Sequence, residues 1–277
     1  MQYDPIKRSL GKVFNSSPAL RKLFYRLLDL LLLRSWHIRK ELKIWASDHK
    51  ASAVSMLDAG SGFGQYVYGV NRKHPHWKVL GVDVKVEQIE DCNRFFASVG
   101  AHNVHFEMAD LTTINWEEEF DLILCVDVME HIEEDVLVLS NFYRALKPGG
   151  MLLISTPSDQ GGSDVHHHHE HEGPVGFIDE HVRDGYGIAD LSDKFKMAGF
   201  ETSDIRFQYG LPGRIAWKLS MKFPILWLNK SRLFFVLLPF YYLLVYPLCL
   251  VLNLLDLYGS HQSGTGLIAK AMKKSNS

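Results

Sequence analysis

The stretch Asp127-Val128-Met129-Glu130-His131 puts two carboxylates and an imidazole within five residues. If it is helical, Asp127, Glu130 and His131 fall at i, i+3 and i+4 and share a face. Such a set can move a proton near neutral pH or hold a divalent cation. The same residues can equally line a ligand and make structural hydrogen bonds. A second group lies at 160–172, where His166, His167, His168 and His169 run on to Glu170, His171 and Glu172. A histidine there, His166 or His169, can act as a general base, because its unperturbed pKa lies near working pH. Several together suit a transition metal, and a solvated loop accounts for them too. His181 and Arg183 follow in a polar stretch at 179–186, ahead of a helix expected over 188–198. They can orient a substrate or its acidic group, or cap and salt-bridge the helix start.

These groups need a frame, and the glycines supply its first piece. An apolar run at 53–57 leads into Asp58-Ala59-Gly60-Ser61-Gly62-Phe63-Gly64. Alternating glycines at a strand end let backbone approach a ligand closely. Further strands are expected at 79–82, 104–108, 120–126 and 151–155, with Asp83, Asp110 and Asp127 at the ends of the first three. Open α/β sheets bind their ligands at the carboxyl ends of the strands. A nicotinamide dinucleotide fingerprint would read G-x-G-x-x-G, with a pyrophosphate on a helix N-terminus. Here the spacing is G-x-G-x-G and Asp58 precedes it. A carboxylate at that point repels a pyrophosphate and suits a cationic ligand. Asp83 can accept both hydroxyls of a ribose, in either kind of site.

In this order and spacing, LDAGSGFG, GVD at 81–83, MAD at 108–110, FDLILCVDVMEHI at 120–132 and LKPGGMLLISTP at 146–157 resemble the class I S-adenosylmethionine-dependent methyltransferases. The resemblance covers roughly residues 51–210, with a last strand near 264–272. It implies an α/β, Rossmann-like seven-stranded sheet of order 3-2-1-4-5-7-6 whose last strand is antiparallel. It also implies that Asp58, Gly60, Ser61, Gly62, Gly64, Asp83, Val84, Asp110, Leu111 and Asp127 hold S-adenosylmethionine, with Asp110 accepting the adenine amino group. The 127–131 segment is similar to the fourth-strand region of ubiquinone-pathway O-methyltransferases. There an acid-x-x-Glu-His set binds a divalent cation beside a catechol. Here the leading acid is Asp where that family has Glu. The implied metal set is Asp127, Glu130 and His131. The candidate catalytic groups are His131, His181, His166 and His169. Methyl transfer from a sulfonium is an in-line displacement, so such an enzyme mainly positions the nucleophile and excludes water.

The chain has 277 residues, 47% of them hydrophobic, which suits one α/β domain with additions. Cys92, Cys125 and Cys249 have no metal or redox spacing, so a reducing compartment is expected, and the first residues lack the apolar run of a signal peptide. The net charge of −2 hides an asymmetry. Residues 1–50 carry 11 Lys+Arg against 4 Asp+Glu, 51–204 carry 10 against 27, and 205–277 carry 9 against 1. An acidic catalytic unit at 51–210 is thus flanked by a basic helical extension at 1–50 and a basic, apolar insertion at 211–260. Basic flanks suggest an anionic partner.

Residues 233–255 form a 23-residue run without a charge, long enough to span a membrane. Neighbouring sixth and seventh strands on either side require the segment to return. It is therefore expected as a shallow hairpin, an interfacial helix or a lid, with Pro239 and Pro247 able to break it into short pieces. The basic-aromatic stretch 214–228 and the 20–43 region, with a helix start at Ser17-Pro18, suit a membrane surface. Alternatively, the N-terminal helix covers the substrate cleft and 214–258 forms a lid or homodimer interface. Basic residues alternate with aliphatic ones and form no polar stripe, which disfavours nucleic acid. The expected protein is a cytoplasmic methyltransferase, peripheral on the inner face of a membrane. It acts on a small hydrophobic acceptor, by O-methylation in preference to N- or C-methylation. A soluble metabolite or sugar acceptor, a non-catalytic cofactor-binding scaffold and an oxidoreductase are the alternatives.

Overall fold

The computed structural model describes residues 17–49, 53–161, 182–231 and 234–275. Seven strands form one sheet: β1 (Ser55–Ala59), β2 (Lys78–Asp83), β3 (Val104–Met108), β4 (Phe120–Val126), β5 (Leu146–Pro157), β6 (Thr202–Gln208) and β7 (Gly266–Met272). Their order is β3-β2-β1-β4-β5-β7-β6, as the resemblance implies. β7 runs antiparallel to both β5 and β6, and the other neighbours are parallel.

β4 reads FDLILCV and is buried on both faces, the composition expected of a central parallel strand. Successive residues of the central strands feed opposite cores. Leu57, Ile123 and Cys125 pack with Phe142, Leu191 and Phe195, from α5 (Asp135–Ala145) and α6 (Ile188–Met197). Met56, Leu122 and Leu124 pack on the other face with Ile38, Trp45, Val67, Phe95 and Phe96. Those come from α2 (Leu33–Asp48), α3 (Gln65–Lys73) and α4 (Val86–Ser98). The N-terminal extension is therefore part of the core. It begins with α1 (Pro18–Leu31), where Ser17 caps the helix by accepting from the Leu20 N–H and Pro18 opens the first turn.

Between β6 and β7 the chain makes a helical hairpin. α7 (Leu211–Trp217), a π-type turn at Lys218–Lys222 and α8 (Phe223–Lys230) form one arm; α9 (Phe234–Tyr258) is the other. Pro239 and Pro247 do not divide α9: the helix runs through both, against the expectation of short pieces. Tyrosines knit the arms together. Pro224 has no N–H to give the Ser220 carbonyl four residues back, and Tyr242 Oη donates to that carbonyl instead, at 2.7 Å. Tyr241 Oη donates to Leu219 O, also at 2.7 Å.

α9 presents inverted faces. Phe240, Leu244, Leu248, Val251 and Leu255 are exposed, with Leu244 at 80%. Cys249, Asn253 and Asp256 face inward and are buried. Only 6% of its most apolar 18 residues is buried.

Candidate functional site

The glycine loop is built for close approach. Gly60, Gly62 and Gly64 all adopt left-handed φ, at +77°, +51° and +74°. The Gly60 and Ser61 N–H groups both donate to Val82 O, at 2.9 and 2.8 Å, clamping the loop to β2. A side chain at Gly60 would overlap Val128, whereas one at Gly62 would meet nothing within 4 Å. Gly60 thus serves packing, while Gly62 borders open space where a ligand can lie against backbone. Gly60→Ala is expected to lower stability by about 2 kcal/mol through strain and overlap. Thermal unfolding of the variant beside wild type checks it.

Asp58 at the end of β1 is 1% exposed, and its Oδ2 has no hydrogen-bond partner. Burial, with the Asp83 charge nearby, pushes its carboxyl from 3.8 up to about 7. Ser61 Oγ is likewise buried without a partner. Asp83 is held rigidly: Oδ2 accepts from the Gly62 N–H at 3.0 Å and Oδ1 from the Lys85 N–H at 2.9 Å. Each oxygen keeps a second lone pair for a ligand hydroxyl. Val84 beside it is exposed, and Leu111 is buried behind the rim. Asp110 Oδ1 accepts from Thr112 N and Oγ1, at 2.9 and 2.8 Å, which fixes the carboxylate and leaves Oδ2 to the exterior. An orphaned buried acid, a rigid acid and an exposed one line a glycine-walled edge. The set fits a ligand with one cationic end, a diol and an amino-bearing base.

Asp127 adopts a left-handed φ of +51° past β4, a conformation Asp tolerates, and pairs with Arg34 of α2. The next residues differ from the expectation. Met129–His131 is a single 3-10 turn and not an α-helix, so Asp127, Glu130 and His131 do not share a face. Glu130 points inward, 1% exposed, accepting from Thr156 Oγ1 at 3.1 Å, and burial raises its carboxyl above the usual range. His131 lies on the exposed side. Among the described residues no three His, Cys, Asp or Glu converge as a metal requires, so the expected cation at this trio finds no support here.

Arg183 pairs with Asp135 at the start of α5 and donates to Ile132 O at 2.6 Å, while Tyr186 Oη donates to Asp135 Oδ2 at 3.0 Å. Arg183 thus braces the turn before α5, whereas the start of α6, which it was expected to cap and salt-bridge, has no side-chain cap. His166, His169 and His181 lie outside the described residues.

Several contacts around the site had no signal in local sequence. Arg21 Nη2 donates to Phe63 O at 3.0 Å and Tyr25 Oη to the same carbonyl, so α1 latches the glycine loop. The Arg34 N–H donates to Tyr209 Oη at 3.1 Å, and the Tyr209 N–H to Asp256 Oδ1 at 3.2 Å. Fully buried Asp256 also accepts from the Gly213 N–H at 3.1 Å and lies 3.0 Å from His37 Nε2 and 3.3 Å from His261 Nε2. His261, without a visible constellation in sequence, thus belongs to a buried network joining α9 to α2 and Arg34.

A family described as "Methyltransferase domain" matches residues 50–198. The chain is 34% identical over 131 residues to phosphoethanolamine N-methyltransferase 1 of Triticum aestivum, covering 40% of this chain and 25% of that protein. It is 28% identical over 129 residues to a ubiquinone biosynthesis O-methyltransferase of Bradyrhizobium sp. (strain ORS 278), covering 47% and 50%. The chain therefore spans a quarter to a half of the length of these curated relatives. Among solved structures, Haemonchus contortus phosphoethanolamine N-methyltransferase 2, in complex with phosphomonomethylethanolamine and S-adenosylhomocysteine, shares the fold. Its TM-score is 0.57 at 18% identity, over 86% of this chain and 53% of that one.

Proposed function

Because this chain belongs to the methyltransferase-domain family, we propose that it transfers the methyl group of S-adenosylmethionine to a small hydrophobic acceptor at a membrane surface, preferentially to oxygen. The observation that carries the membrane half is the inverted α9: apolar outside, with Asn253 and Asp256 inside. Water selects the reverse arrangement, and a bilayer selects this one. Moving its half-exposed Leu, Val and Phe side chains out of water is worth on the order of 10 kcal/mol. Both ends of the hairpin return to adjacent strands, and Arg214, Lys218 and Lys222 recur every four residues along its other arm. A hairpin lying in the interface, with its lysines snorkelling to headgroups, accommodates both facts. Three buried free thiols accord with a cytoplasmic location on the inner face.

When bound, S-adenosylmethionine supplies an activated methyl group on a sulfonium. Asp58 receives the cationic methionine end, Asp83 the ribose hydroxyls and Asp110 the base, while Gly62 leaves the backbone open to them. Arg34 holds Asp127 past β4, and exclusion of water from the loaded site would favour displacement. An oxygen acceptor must lose its proton. His131, exposed on the turn past β4, is the group there suited to receive it, while Glu130 is buried against Thr156.

The test compares a phenol carrying an isoprenoid tail, presented in vesicles, with the same ring lacking the tail in solution. Faster methylation of the tailed phenol, on oxygen, is expected. Equal rates without vesicles, or methylation only of soluble amines, would favour the soluble-metabolite or N-methyl reading.

A further inference from the structure

A shallow depression of about 360 Å³, a cavity largely open to solvent, lies outside the cofactor edge, lined by Arg26, Asp29, Leu30, Trp36, Arg39 and Arg72. Three guanidinium groups face one carboxylate there. Asp29 is already committed, paired with Arg39 and accepting from Gln65 Nε2 at 2.9 Å. Arg26 and Arg72 are exposed, and neither has an ion pair among the described residues. The surplus charge is felt locally. Burial, with the neighbouring cations Arg72 for Arg39 and Arg39, Arg72 and Lys43 for Lys73, holds both residues below their usual pKa. Cations crowded in this way favour an anion between them, and a guanidinium fork matches phosphate oxygens.

The cavity also sits where the apolar surfaces meet. Leu30 O accepts from Trp36 Nε1 in the cavity wall, at 3.2 Å, and from Tyr246 Oη of α9, at 2.5 Å. Arg26 lies on α1 within the stripe of exposed Leu23, Leu27 and Leu30. A phosphate held here would have hydrocarbon-seeking side chains on both sides of it.

We propose that this cavity is a phosphate-binding site that takes the headgroup of an anionic phospholipid, fixing how the protein sits on the membrane. The inference rests on the membrane reading above, but the site is separate from the one that holds cofactor and acceptor. A ligand with only a phosphate shares the chemistry, so the test separates the two sources.

The full chain and the double variant Arg26→Gln, Arg72→Gln are floated with vesicles of phosphatidylcholine alone and of phosphatidylcholine mixed with phosphatidylglycerol. Two surface cations lost near a headgroup plane correspond to about thirtyfold weaker binding. The expected result is that loss on mixed vesicles only, with binding to phosphatidylcholine unchanged through the apolar face. Equal binding of both proteins to mixed vesicles overturns the proposal. If wild type binds neither vesicle, the membrane reading fails, and melting in inorganic phosphate then decides the site. A rise in Tm for wild type and not for the variant keeps it as a site for free phosphate, and no difference overturns it.

Discussion

Asp58→Asn is expected to raise the melting temperature of the cofactor-free protein at pH 8 while weakening S-adenosylmethionine binding about 100-fold. The two effects share one cause. Asp58 is buried without a partner for Oδ2, and its carboxyl stands at about 7 where 3.8 is ordinary. A carboxyl whose folded pKa lies above its unfolded value favours folding when neutral, so its ionisation costs stability as pH rises through 7. The displacement corresponds to roughly 4 kcal/mol. An amide is itself costly to bury, so a gain of about 2 kcal/mol, some 5 °C, is expected. The same substitution removes the charge that a cationic ligand meets in a buried site. For wild type, the affinity for S-adenosylmethionine should fall as pH drops below 7, with a proton released on binding. In Asp58→Asn that dependence disappears. Calorimetry at several pH values reads both. An unchanged affinity in the variant would remove Asp58 from the cofactor site.

The triple variant Phe240→Glu, Leu244→Glu, Leu248→Glu should lose vesicle binding by at least 100-fold. These residues are 66%, 80% and 53% exposed and follow one another at four-residue intervals on the outer face of α9. Each change removes a side chain worth about 1–2 kcal/mol on transfer from water and adds a charge that resists it. Because none of the three is buried, the fold and cofactor affinity should be unaffected, and solubility without detergent should improve. A drop in Tm, together with conversion of a wild-type dimer to a monomer, would instead identify the face as a homodimer interface.

The sheet was legible because its signals are local and repeated. Asp58 to Gly64 and Asp83 each mark a strand end, Lys147-Pro148-Gly149-Gly150 lies at the start of β5, and their order prescribes one topology. Less legible was anything made by residues distant in sequence. Arg34 meeting Asp127, Tyr25 meeting Phe63, and His37 and His261 meeting Asp256 leave no spacing to read. The trio at 127–131 misled for a physical reason. An i, i+3, i+4 pattern shares a face only on an α-helix, and here a left-handed Asp127 followed by a 3-10 turn sends Glu130 inward and leaves His131 outside. The prolines of α9 misled in a different way: helix breaking is a tendency of the isolated chain, and packing against α7 and α8 overrides it. The length and apolarity of that segment were plain, but its inverted faces needed the structure.

The most direct measurement follows a labelled methyl group. Purified protein is incubated with methyl-labelled S-adenosylmethionine and vesicles of total lipid extract, and the label is partitioned between organic and aqueous phases. The expected result is label in an organic-phase small molecule, lost with Asp58→Asn and reduced with the α9 triple variant. Label confined to water-soluble products, formed equally well without vesicles, would contradict the membrane-drawn acceptor.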